Sequence, residues 1–328
     1  MSIYRLIGIT TPQAADKLIA SGAKLAGEPL HVTRYPGLAA LQVKGEKAGF
    51  FTAKKKALEA ILQFQRQLEA AQVTGPVIPA AFANPLLDDT EALRVLAVGH
   101  QRLSEALQVF GGVHQYQITV SWNPAIAMAH QAAQPAFQAA MAQNSGDMAA
   151  RGTTIRNLME ATRSGLGQAF LARLGSASLK LAQEPLGSEN MITNAVVLVE
   201  KAKEAAFDAA LEDIDASFPD LAIKQLGPLP PVSFASLVIE RPKAQDIAKA
   251  KLVLKIDAFE ADTLKTAYRN AMKAAHPDMA GGDQSHATSI TNAYRLLLRL
   301  DEANMAGGDR IKPLLVDLVN AGGERWAA

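Results

Sequence analysis

The sequence predicts a mixed α+β protein: two α+β sandwich domains, ferredoxin-like in layout, followed by a small all-α helical hairpin. Three observations lead there. The first 123 residues read as strand, helix, hairpin, helix, helix and strand. A second set, strand–helix–strand–turn–strand, fills the region up to residue 240. From 243 onward the apolar periodicity is helical. The expected divisions are 1–123, 124–240 and 243–300, with a tail over 301–328.

Residues 2–9 alternate loosely and are rich in β-branched side chains, a first strand. Thr11-Pro12 opens a short helix through residue 20. Runs 30–33 and 38–43 form a hairpin around Pro36-Gly37. Residues 52–72 form a long helix with Leu58, Ile61, Leu62 and Leu68 near one face. Lys54-Lys55-Lys56 in its first turn reads as a solvated face rather than a partner patch, and it is poorly placed for the helix dipole. After Gly75-Pro76-Val77-Ile78-Pro79, residues 88–110 make a second long helix, capped by Asp88 or Asp89 and stopped by Gly111-Gly112. Residues 113–122 alternate as a half-buried strand.

Residues 123–144, rich in Ala, Gln and Met and interrupted by Pro135, read as the join between the first two domains. A helix follows over 153–181, a buried strand over 190–199, a helix over 201–218 and a short strand over 221–226. Gly227-Pro228-Leu229-Pro230-Pro231 is a rigid turn, because proline fixes φ and removes a donor. A last strand spans 232–239. In the tail, Leu314-Leu315-Val316 with Leu318-Val319 is expected to be a short helix packed on the body or an interaction tag, and Trp326 to be exposed unless something covers it.

Near the C-terminus, Leu264, Tyr268, Ala271, Met272 and Ala275 fall on one helical face, and Lys265, Arg269 and Lys273 form a basic stripe on another. Pro277 forbids continuation of that helix and Gly281-Gly282 frees the backbone. Ala287, Ile290, Tyr294 and Leu297 then repeat at helical spacing. The two faces close as a helical hairpin with His276-Pro277-Asp278 at its tip.

Composition bounds the function. Hydrophobic residues are 49% and charged residues 20% of 328, and 33 Lys plus Arg nearly balance 32 Asp plus Glu. A net charge of +1 argues against general capture of nucleic acid or an anionic membrane. With no cysteine, disulfides, Cys-based zinc sites and thiol catalysis are excluded. The first residues do not read as a signal peptide, and no uncharged apolar run approaches the ~18 residues of a membrane span, so a cytoplasmic location is expected. The histidines at 31, 100, 114, 130, 276 and 286 are scattered, and no zinc-protease, nucleophile-elbow or phosphate-loop pattern occurs. No enzyme activity, cofactor or metal is expected.

Two resemblances follow from these residues. Region 243–300, with its basic stripe and His276-Pro277-Asp278, resembles the J-domain of Hsp70 co-chaperones, Ala250 to Ile256 matching its short first helix. That resemblance implies Hsp70 binding and ATPase stimulation through Lys265, Arg269, Lys273, His276, Pro277 and Asp278. Gly227-Pro228-Leu229-Pro230-Pro231-Val232-Ser233-Phe234 is similar to the closing motif of the gas vesicle protein F/L family, carried here by Gly227, Pro228, Pro230, Pro231 and Phe234. Leu229 and Val232 stand where that family has Trp and Tyr. The strand beginning Ile3-Tyr4-Arg5, the Pro76-Val77-Ile78-Pro79 segment and Asn194-Ala195-Val196-Val197-Leu198-Val199 resemble other marks of it, covering about 1–240. This implies a gas-vesicle-associated accessory protein, not an enzyme, that binds the small apolar shell protein and other accessory proteins. Together the resemblances imply an assembly factor that brings Hsp70 to the shell protein. The alternative is a minor structural component of the vesicle whose hairpin is a degenerate docking module.

Overall fold

The computed structural model describes residues 2–45, 54–143, 146–258, 260–275, 284–305 and 312–326. Contacts divide the chain into two units, residues 1–111 with 234–328, and residues 112–233. Each is mixed α+β.

The first unit begins with β1 (Tyr4–Thr10), α1 (Pro12–Ala20), β2 (Lys24–Leu25), β3 (Glu28–Tyr35) and β4 (Leu38–Lys44). It continues through α2 (Lys54–Gln72), β5 (Val77–Pro79), α3 (Asp89–Val98) and α4 (His100–Gly111). The strands pair antiparallel in the order β2-β3-β4-β1-β5. Gly37 turns the expected hairpin with φ of 74°, which glycine adopts without a Cβ clash. Leu38 to Val43 are all buried, so the central strand β4 is covered on both faces.

The single helix expected over 88–110 is two. Asp88 caps α3 with a reciprocal box: its carboxylate accepts from Glu91 N at 2.9 Å, and Glu91 Oε2 accepts from Asp88 N at 3.3 Å. Gly99 ends α3, and a Cβ there would lie 2.8 Å from Leu103 and 2.9 Å from Val316. The approach of Val316 is a long-range contact that no local pattern shows, and it leaves no room for a side chain at the break.

The second unit holds β6 (Val113–Trp122), α5 (Pro124–Ala132), α6 (Pro135–Gln143), α7 (Met148–Ser176), β7 (Lys180–Gln183) and β8 (Met191–Glu200). A 3-10 turn over Lys201–Lys203 leads to α8 (Glu204–Ser217) and β9 (Leu221–Leu229). The antiparallel order is β7-β8-β6-β9. β6, read from the sequence as the end of the first domain, is an inner strand here because β8 and β9 both pair with it. Region 123–144, expected as a join, forms α5 and α6. The helix expected over 153–181 starts earlier and stops at Ser176, and β7 follows it. Ile118, Val120, Phe170, Leu174, Val197 and Phe207 form the centre of this unit's core.

The chain then returns to the first unit as β10 (Ser236–Glu240), α9 (Ala244–Leu254), α10 (Ala261–Ala274), α11 (Gln284–Met305) and β11 (Leu315–Val319). β10 was expected over 232–239 as the last strand of the second domain. It pairs instead with β11 and meets the β5 end by a parallel bridge, Ala80 to Leu237. The short helix expected in the tail is this strand. The open backbone of β10 needs partners, and the buried Leu-Val-Asp-Leu-Val run supplies them. Trp326 is half-buried, its ring 5.8 Å from that of Phe110, and its backbone N–H donates to Leu318 O at 2.8 Å.

Both apolar faces read near the C-terminus pack inward. Leu264 and Ala275 on the first arm, and Ile290 and Leu297 on the second, are buried in one cluster with Leu254 of α9. Tyr268 and Tyr294 stack at 4.4 Å beside it.

Candidate protein-docking site

The turn-by-turn burial of α2 changes abruptly along its length. Its later turns bury Phe64, Gln67, Leu68 and Ala71 against β1, β2 and β5. Phe64 meets the Phe82 ring edge-on at 5.4 Å, and the Arg5 guanidinium lies 4.9 Å over Phe82. Before Phe64 every described side chain from Lys56 to Leu62 is exposed. Leu58 is 58%, Ile61 45% and Leu62 44% exposed. Positions i, i+3 and i+4 share one helical face, so the three aliphatic side chains form a continuous apolar step in water. Sequence periodicity put Leu58, Ile61 and Leu62 together with Leu68. The structure separates them: Leu68 is buried with Phe64, whereas Leu58, Ile61 and Leu62 are exposed.

On α10, Lys265, Arg269 and Lys273 are exposed, and none pairs with an acid among the described residues. Like charges four residues apart repel by roughly 0.2–0.5 kcal/mol per pair, which an acidic partner would relieve. His276, Pro277 and Asp278 lie outside the described residues.

The Pro-rich motif, expected as a turn, is strand in its first half: β9 runs on through Gly227 and Pro228 to Leu229, which pairs with Gln115, and Pro230 and Pro231 follow it. Gly227 takes φ of 149°, and a Cβ there would lie 2.5 Å from Tyr116 Cδ1 and 2.9 Å from Gln115 O. Only glycine lets β9 cross Tyr116 so closely. The Gly227–Pro228 peptide is cis. Pro230 and Pro231 are buried, and Gln115 Oε1 accepts from Ser233 N at 3.1 Å. Phe234 is buried at the start of the return to the first unit.

Beneath this crossing lies a cluster that scattered histidines did not reveal. Glu204, opening α8, accepts on Oε1 from Tyr116 O–H at 2.7 Å and pairs there with His114 Nδ1. Burial opposes ionisation of Glu204, but the Tyr116 and His114 hydrogen bonds and nearby Lys201 outweigh it and hold the carboxyl below its ordinary range. Burial first, then the bond to Glu204, pushes the Tyr116 phenol well above its own. Every member is satisfied, and a local signal existed: an acid at a helix N-terminus, where the dipole favours it. No group of three or more His, Asp or Glu side chains able to hold a metal occurs among the described residues, and no helix there is long and apolar enough to cross a membrane.

Comparison with known proteins bears on this arrangement. The family model for gas vesicle synthesis protein GvpL/GvpF matches residues 4–236, ending before α9. Gas vesicle protein F2 of Halobacterium salinarum is 36% identical over 74 residues, covering 23% of this chain and 34% of that protein. Gas vesicle protein F1 of the same organism is 32% identical over 73 residues, covering 22% and 34%. The matched stretch thus spans about a third of each curated relative. The crystal structure of the gas vesicle protein GvpF from Anabaena sp. PCC7120 superposes with a TM-score of 0.57 at 18% identity, covering 70% of this chain and 97% of that one. That from Microcystis aeruginosa gives 0.52 at 18%, covering 70% and 98%. At such identity these two likenesses speak for the fold, whereas the family match runs through β1, the central Pro segment, β8 and the Gly227–Phe234 motif: the chain belongs to the GvpL/GvpF family of gas vesicle synthesis proteins.

Proposed function

We propose that the protein is an assembly accessory of gas vesicle formation that holds the apolar shell subunit on the exposed first turns of α2. The observation that carries this reading is the Leu58, Ile61 and Leu62 step, in a family whose members serve gas vesicle synthesis. A subunit with a strongly apolar face aggregates before assembly unless a partner covers it, and an aliphatic step is complementary to such a face. In the same reading α9–α11 act as a J-domain-like module that brings Hsp70 to the held subunit through Lys265, Arg269, Lys273, His276, Pro277 and Asp278. The exposed stripe on α10, which has no acidic partner among the described residues, supports that role. Tethering both activities in one chain raises the effective concentration of Hsp70 near the client.

The test has two arms. Purified protein should suppress light scattering by shell protein, and Leu58→Ser with Ile61→Ser should abolish that effect. Steady-state ATPase of an Hsp70 should rise with the wild type and not with His276→Gln. Equal suppression by the α2 variant would overturn the client site. Absence of ATPase stimulation by the wild type would remove Hsp70 from the reading and leave the client arm standing.

A further inference from the structure

A cleft of about 450 Å³ opens in the first unit where α3, the β10–α9 connection and the segment entering β11 meet. Its floor is apolar, made by Pro242, Ile247, Pro313 and Leu314. Its walls carry Arg94, Arg241, Lys251 and Lys312 against one acid, Glu91. Glu91 is already committed: Oε1 pairs with Arg241 at 2.8 Å and Oε2 accepts from Asp88 N in the α3 cap. Arg94 Nη2 donates only to a carbonyl, that of Lys312, and its Nε is buried without an acceptor among the described residues. Lys312 is exposed and meets no acid among them. With Arg241 paired to Glu91 and Lys251 Nζ donating to Asp257 O at 2.7 Å, Arg94 and Lys312 still leave a positive surplus over a low-dielectric floor, which concentrates anions.

The shape narrows the ligand. Ile247, Lys251 and Pro313 also border a second hollow of about 280 Å³ along α9, whose wall carries Asp257 and Glu260. The two make one trough, basic at one end and acidic at the other. A free inorganic anion would leave the apolar floor uncovered. An extended chain places alternate side chains on opposite sides, so acidic residues reach the walls while aliphatic ones fill the floor. We propose that the basic end of this trough is a docking site for an acidic, aliphatic peptide segment of a partner protein, its carboxylates held by Arg94 and Lys312 and its aliphatic side chains on Ile247 and Pro313. The site uses neither the α2 step nor the α10 stripe, so it stands or falls independently of the reading above.

The experiment is fluorescence polarisation of a labelled Asp-Leu-Glu-Leu-Asp-Leu peptide with the full chain. Binding should weaken with salt. It should fall by about tenfold or more in Lys312→Glu and in Ala248→Glu, each of which puts a carboxylate at the cleft on an exposed position. Both variants should unfold at the wild-type temperature. Unchanged affinity in both, or equal binding of a Lys-Leu-Lys-Leu-Lys-Leu peptide, would overturn the proposal. So would displacement by inorganic phosphate as effective as unlabelled peptide, which would mark a small-anion site.

Discussion

Arg102 Nη1 on α4 donates to Asp317 Oδ1 on β11 at 3.2 Å, across 215 positions of sequence. Asp317 is 5% exposed, and it also pairs with Arg299 of α11, whose side chain is 16% exposed, and with Arg325 Nε at 3.5 Å. Arg299 reaches Glu240 of β10 at 3.0 Å. One buried carboxylate thus ties the tail strand to a helix from each half of the first unit. Removing the carboxylate leaves Arg299 with Glu240 and returns the half-exposed Arg102 and Arg325 to solvent, so what is lost is a set of charge-assisted hydrogen bonds, about 1.5–3 kcal/mol. Asp317→Asn should destabilise the first unit by about that amount in urea unfolding. Arg325→Ala, removing a half-exposed partner, should cost about 1 kcal/mol or less.

The Tyr116–Glu204 pair predicts two pH arms for the second unit. The Glu204 carboxyl is depressed when folded, so its contribution is present above its unfolded value near 4.5 and is lost as pH falls through the folded one. The Tyr116 phenol is raised when folded, so its contribution is full below its ordinary value of 10.0 and is lost as pH climbs beyond it. Thermal unfolding against pH should show both declines. Tyr116→Phe should flatten the alkaline one. An equally steep alkaline decline in that variant would place its source elsewhere.

Gly227→Ala puts a Cβ where Tyr116 Cδ1 is 2.5 Å away, at a φ of 149° that L-residues rarely adopt. Strain at such a position is of order 1–3 kcal/mol before any clash is counted. The substitution should lower the unfolding midpoint of the second unit, read as loss of β-sheet circular dichroism on heating. Gly146→Ala, in the same unit with open space around it, is the matched control and should be nearly neutral.

Local pattern carried far into this fold where one element's own chemistry decides it. The capped start of α3, the alternation of β6 from Tyr116 to Trp122, and the inward faces of α10 and α11 are all visible in residue spacing. What spacing does not carry is which distant strand accepts an edge. Leu315–Val319 reads as a short apolar helix until β10 is known to need a partner. Gly99 reads as a tolerated helix glycine until Val316 is known to press on it. The same limit applies to function. Leu58, Ile61 and Leu62 carry a helical apolar signature identical to that of Leu68, and only the tertiary packing that buries Leu68 and leaves the other three exposed distinguishes a docking face from a core face.

That distinction is measurable without any partner. If the first turns of α2 are free of the sheet, Leu58→Ser and Ile61→Ser should each change the unfolding free energy by no more than about 0.5 kcal/mol, as exposed substitutions do. Phe64→Ala, one turn later, removes a ring that is 6% exposed and packed on Phe82, and should cost about 3–5 kcal/mol. Urea unfolding of the three variants gives the contrast directly. A cost at Leu58 or Ile61 approaching that at Phe64 would mean these residues are part of the core. The aliphatic step would then have no surface to offer a shell subunit.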